Sequence, residues 1–205
     1  MDISPGGQIR GTTFVKCPKT SSGVFTIPDG IEEIGRGAFR GCAAITKVNI
    51  PEGVSKIGNW AFASCSALTD VQLPKDVTYI GAGAFAECSA LTRVHIPNGV
   101  TRIPRETFAE CSSLADINIP DGVVNIGDWA FSGCKKLAHA IVPAACDIAD
   151  TAFDPSCKIF NAHSEYRIHL AKELVSERAA DGVEVVGMQA PQCAQAVDSR
   201  GGRDI

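Results

Sequence analysis

The feature that most limits what this chain can fold into is a 23-residue period. Ile27-Pro28, Ile50-Pro51, Leu73-Pro74, Ile96-Pro97, Ile119-Pro120 and Val142-Pro143 recur at that step, as do Cys42, Cys65, Cys88, Cys111, Cys134 and Cys157. Phe39, Phe62, Phe85, Phe108 and Phe131 hold another shared position, and Ile45, Leu68, Leu91, Leu114 and Leu137 follow each Cys by three residues. The unit reads L-x-x-V-x-I-P-x-G-V-x-x-I-G-x-x-A-F-x-x-C-x-x. One such unit has too few apolar residues to bury a core alone, so stacked neighbours must supply the stability. The sixth copy is irregular, as an end copy should be: Phe153 comes one residue early and Cys157 restores the register.

Within the unit, V-x-I alternates with period two and predicts one short strand per coil, with Val71 and Leu73 inward and Gln72 outward. The following proline has no N–H and ends the ladder. Gly53, Gly99 and Gly122 suit a turn, Val54 and Ile57 return to the core, and Gly58, Gly81 and Gly127 suit a second corner. The piece around Ala61-Phe62 is too short for more than one helical turn. The expected architecture is an α/β solenoid of about six coils over residues 23–160, its parallel strands joined by turns or short helical turns. A β-rich N-terminal cap occupies 1–22. A helix from Ser164 to about Ala180 and a strand over Val183–Val186 form a C-terminal cap at 161–188, and 189–205 is expected to be disordered.

The phrases IPEGVSKIGNWAFASCSALTDVQLP and LPKDVTYIGAGAFAECSALTRVHIP resemble the BspA-like leucine-rich repeat family over roughly Gly23 to Phe160. That resemblance implies a curved solenoid. It also implies a role in adhesion or protein binding, as in cell-surface or secreted proteins of bacteria and protists. The N-terminal residues have neither the basic flank nor the apolar stretch of a secretory signal. The chain as written is therefore expected in the cytoplasm, and at the cell surface or outside if a leader has been removed.

Regularly spaced cysteines could be metal ligands, disulfide partners, nucleophiles or packing. A zinc site needs four ligands converging on a point, whereas one Cys per coil makes a row. Cysteines directly above one another have parallel Cβ vectors about 4.8 Å apart, wider than a disulfide accepts. A nucleophile needs a positioned base and a lowered pKa, which a repeated position without a repeated His lacks. The expected role is a small apolar side chain whose S–H donates to a turn carbonyl. Cys17, Cys146 and Cys193 lie off the row, with Cys193 the one expected to be exposed.

Net charge is −4 and no basic block occurs, which argues against a nucleic-acid partner. No apolar run reaches the roughly 20 residues of a membrane helix. His95, His139, His163 and His169 form no catalytic set, and no nucleotide, hydrolase or zinc-protease motif is present. No catalytic, cofactor-binding or metal-binding residue is assigned, and no cofactor is expected. The variable polar positions beside the strand point instead to a protein-binding face of Lys47, Asp70, Gln72, Arg93, His95, Asp116 and Asn118, with Tyr79 and Arg102 on a second face. Trp60 and Trp129, which share a repeat position, are expected at a convex corner. The reading is a monomeric, non-catalytic module for a protein partner of unspecified identity. The alternatives are a self-assembling scaffold and, more remotely, a thiol-dependent enzyme.

Overall fold

The computed structural model describes residues 7–162. Along it run β1 (Gln8–Arg10), β2 (Thr13–Lys16), β3 (Gly23–Thr26), β4 (Glu33–Ile34), β5 (Ile45–Asn49), β6 (Lys56–Ile57), β7 (Asp70–Val71), β8 (Tyr79–Ile80), β9 (Arg93–His95), β10 (Arg102–Ile103), β11 (Asp116–Asn118), β12 (Asn125–Ile126), β13 (His139–Pro143), β14 (Asp147–Ile148) and β15 (Lys158–Ala162). The V-x-I segments form a parallel sheet in the order β11-β9-β7-β5-β3, and β13 pairs with β15 beyond it. Val71 and Leu73 are buried and Gln72 is exposed, as the alternation predicts.

One strand per coil was expected, but each regular coil contributes a second. The residues of V-x-x-I that return to the core pair in parallel as β2-β4-β6-β8 and β10-β12-β14. Two-residue strands have no periodicity to read; only stacking creates them. The break between β8 and β10 has a chemical cause. Gly58 N–H donates to Ile34 O at 2.7 Å, Gly81 N–H to Ile57 O at 2.8 Å and Gly127 N–H to Ile103 O at 2.8 Å. The fourth copy has Pro104 at that position, with no N–H for Ile80 O. Gly58, Gly81 and Gly127 are therefore sites of close approach rather than flexible corners. A Cβ on Gly58 would lie 2.7 Å from Arg36 N, and one on Gly127 2.8 Å from Arg105 N.

The described residues contain no helix, so the helical turn allowed for around Ala61-Phe62 is replaced by successive β-turns. Ala61 N–H bonds Gly58 O and Cys65 N–H bonds Phe62 O, both at 3.2 Å, while Phe62 and Ser64 reach forward to Ala84 O and Ala86 O at 2.7 and 2.8 Å. Two left-handed residues per coil prevent helical continuation. One row is Gly37, Trp60, Gly83, Glu106 and Trp129, with φ of 63, 58, 62, 59 and 55°. The other is Gly41, Ser64, Glu87, Glu110 and Gly133, at 71, 59, 62, 58 and 73°. The glycines in each row mark what the backbone prefers, and the other residues carry a left-handed cost of roughly 1 kcal/mol each.

Inside, Phe14, Phe39, Phe62, Phe85, Phe108, Phe131 and Phe153 form one stack, with successive centroids 4.8 to 5.4 Å apart. Around it lie the buried Val, Ile and Leu positions of every coil. At the N-terminal end β1 and β2 form an antiparallel hairpin, and β2 joins β4 in parallel, with Phe14 opposite Ile34. The stacked structure thus begins before residue 23. The expected C-terminal helix, the Val183–Val186 strand and the 189–205 tail lie outside the described residues.

Candidate protein-binding face

The in-register pairing of V-x-I strands aligns their outward side chains into rows. Val24, Lys47, Asp70, Arg93 and Asp116 occupy one row, and Thr26, Asn49, His95 and Asn118 another. Gln72 follows β7 and is exposed. The structure therefore places all seven residues of the expected face on one sheet; Gln72, Arg93 and His95 are exposed, and Lys47, Asp70, Asp116 and Asn118 are half-buried.

The charges alternate along the first row, which suggests a self-neutralising stack. Among the described residues, however, Lys47, Asp70 and Arg93 make no ion pair within 4.0 Å of one another. The second row is held by side-chain bonds: Asn49 Nδ2 donates to Thr26 Oγ1 at 3.1 Å, and Asn118 Nδ2 lies 3.4 Å from His95 Nδ1. Beside them Thr69 and Thr92 hydroxyls donate to Thr46 O and Thr69 O at 3.2 and 3.3 Å. These bonds to the preceding coil fix the polar side chains on a rigid support, which lowers the ordering cost of association.

On the other sheet, Glu33, Lys56 and Tyr79 stand in register. Lys56 pairs with Glu33 at 3.1 Å and lies 5.7 Å from the Tyr79 ring centroid. The cation over Tyr79 is thus Lys56 of the preceding coil. Arg102 begins β10, beyond the Pro104 break, and both Tyr79 and Arg102 are exposed. The left-handed Trp60 is half-buried with its ring over Gly83, whereas Trp129 is 44% exposed, and Arg40 and Arg105 lie 5.9 and 5.4 Å from the two ring centroids. The left-handed corner was not foreseen; glycine at Gly37 and Gly83 in place of Trp was its one sequence signal.

Cys42, Cys65, Cys88, Cys111 and Cys134 of the cysteine row are buried free thiols, and Cys157 at its end is a half-buried one. Cys65, Cys88, Cys111 and Cys134 Sγ each donate, at 3.1 Å, to the carbonyl of Phe39, Phe62, Phe85 and Phe108 respectively. Burial pushes Cys65 and Cys134 up to about 12, and raises Cys88 and Cys111 as well. These thiols stay protonated at neutral pH and are poor nucleophiles. Among the described residues, no group of three or more His, Cys, Asp or Glu could hold a metal ion, and no helix is long and apolar enough to cross a membrane.

Residues 7–138 match the family profile of the BspA type leucine rich repeat region, in six copies. A crystal structure of a leucine-rich repeat protein from Bacteroides ovatus is 32% identical, with a TM-score of 0.59; the match covers 68% of this chain and 37% of that one. A leucine rich cell surface protein from Faecalibacterium prausnitzii is 29% identical, with a TM-score of 0.60, over 76% of this chain and 37% of the other. The T. pallidum leucine rich repeat protein shares the fold, at 21% identity and a TM-score of 0.53, over 78% of this chain and 86% of that one. The aligned part thus spans little more than a third of the first two structures. No curated protein matches.

Proposed function

This chain belongs to the BspA-type leucine-rich repeat family, and we propose that it is a non-catalytic module that binds a protein partner through the V-x-I sheet. The observation that carries this reading is a division of labour between positions. The repeated Phe, Val and Leu positions are buried, while positions that vary from coil to coil, Lys47, Asp70, Gln72, Arg93, His95, Asp116 and Asn118, lie along the outer side of one sheet. A partner of complementary polarity gains from side chains already ordered, with Arg93 and His95 the exposed strand residues of this set. Specificity on a repeat scaffold resides in such variable positions.

The test is affinity capture of cellular proteins with the folded chain and with the Arg93→Glu, His95→Ala double variant. Proteins specifically retained by the wild type should be lost at least about tenfold from the variant, consistent with removing two contacts worth roughly 1 kcal/mol or more. Undiminished capture by the variant moves the interface off this face.

A further inference from the structure

The four middle thiols share one environment, and Cys42 departs from it. The rings from Phe39 to Phe131 step by 23 residues, but 25 separate Phe14 from Phe39. Cys17 N–H bonds Ala38 O at 2.7 Å, the bond that Phe39 N–H makes to Ala61 O one coil later. In the first coil, therefore, the ring reaches the stack from the strand, and a thiol takes the backbone position that elsewhere carries the ring. Cys17 Sγ and Cys42 Sγ both donate to Pro18 O, at 3.6 and 3.9 Å, so that one carbonyl gathers the two thiols. Cys42 has this long contact in place of the 3.1 Å bond of its counterparts.

Two further features distinguish this end. Gln8, Lys16, Cys17, Pro18 and Lys19 line an open cavity of about 310 Å³. The Lys19 ammonium sits over Gly41, where an added Cβ would be 3.1 Å from Nζ, next to Cys42 in the chain. The neighbouring Cys17 thiol, aided by the charge of Lys19, lowers the pKa of Cys42 against the cost of burial. Cys17, beside Cys42 and buried, is pushed up. Because Cys17 and Cys42 occupy different backbone positions in their coils, the parallel-Cβ geometry that disfavours disulfides along the regular row does not apply to them.

We propose that Cys17, which lines this cavity, and Cys42, gathered beside it by Pro18 O, are a redox dithiol that a peroxide closes to a disulfide. The Cys42 thiolate attacks one peroxide oxygen; the O–O bond breaks, an S–O bond forms, and hydroxide leaves to become water. Cys17 sulfur then attacks Cys42 Sγ, the S–O bond breaks, and the departing hydroxide takes the Cys17 proton as a second water. Two thiols and one hydrogen peroxide give one disulfide and two waters, and a dithiol reductant reverses the change. The new bond ties the end of the N-terminal hairpin segment to the first regular coil.

The experiment exposes the native full chain to limiting hydrogen peroxide, quenches by alkylation, and maps all nine cysteines by peptide mass. The expected product is a Cys17–Cys42 cross-link, about 2 Da lighter than the dithiol and reducible, formed at least about tenfold faster than any modification of Cys65, Cys88, Cys111 or Cys134. Lys19→Gln, a surface change that leaves both thiols, should slow it about threefold or more at pH 7. Oxidation of Cys42 to the sulfinic acid without a cross-link, pairing of Cys42 with Cys193 or with a second copy, or a rate equal to that of the middle thiols would each overturn the proposal.

Discussion

The middle coils and the first coil are built from the same residue types and behave differently. From Phe62 to Phe108 every ring has a ring stacked on both faces, and every thiol bonds a phenylalanine carbonyl at 3.1 Å. In the first coil, where 25 rather than 23 residues separate Phe14 from Phe39, Phe14 begins the stack with one stacked neighbour, Phe39, and one edge contact, Phe25. There the thiol of Cys42 meets Pro18 O at 3.9 Å in place of a phenylalanine carbonyl, and shares it with a second thiol, Cys17. The lesson is that a repeat position has no fixed chemistry of its own: the coil beneath it decides whether a cysteine is inert filler or a group that can ionise.

The largest test of this contrast is alkaline pH. An unfolded thiol ionises near 8.5, while burial holds Cys65 and Cys134 up at about 12 and raises Cys88 and Cys111. Their folded-state pKa values are raised, so the stability they give is full below the unfolded pKa and is lost as pH rises towards the folded value. Each should remove about 1.4 kcal/mol per pH unit above roughly 8.5, so the four together should unfold the domain within about two units. Cys42 has the opposite sign: with its pKa lowered by the Cys17 thiol and Lys19, it adds stability at pH above the unfolded pKa and loses it as pH falls through the folded value. Urea midpoints between pH 6 and 10 should therefore fall less steeply at the alkaline end in Cys88→Ala, and no less steeply in Cys42→Ala. Identical slopes for the two variants would erase the distinction.

Ring deletion comes next. Phe85→Ala, between two stacked rings, should cost about 4 kcal/mol, and Phe14→Ala distinctly less, because its cavity opens at the end of the stack. Urea denaturation of both variants measures the difference, and an equal loss would mean that the first coil is as tightly integrated as the rest. The smallest effect concerns the backbone. Glu110 has φ of 58° where Gly41 and Gly133 stand one or more coils away. Glu110→Gly should raise stability by about 0.5–1 kcal/mol, as relief of left-handed strain outweighs the added freedom of the unfolded chain. A lower thermal midpoint would show that the strain is already relieved by neighbouring contacts.

Much of this was legible in the chain. The period located the coils, the Phe and Cys rows, and the outward positions Lys47, Asp70, Arg93 and His95, because burial in a stack repeats whatever one coil needs. The second strand of each coil was not legible, since Lys56-Ile57 or Tyr79-Ile80 is too short to alternate. Nor were the left-handed corners at Trp60, Glu106 and Trp129, which the residues themselves disfavour and only the glycines of sister coils betray. Cys17 read as lying off the row, because its placement follows from hydrogen bonds to Ala38 and not from spacing.

By itself the sequence determined that this protein must stack: a 23-residue unit with a handful of apolar residues has no core except the one its neighbours complete. Only the tertiary structure decided what each stacked position meets. Contacts between coils depend on where the backbone of the adjacent turn runs, and a proline at Pro104 or a two-residue slip before Phe39 changes that course without disturbing the repeat.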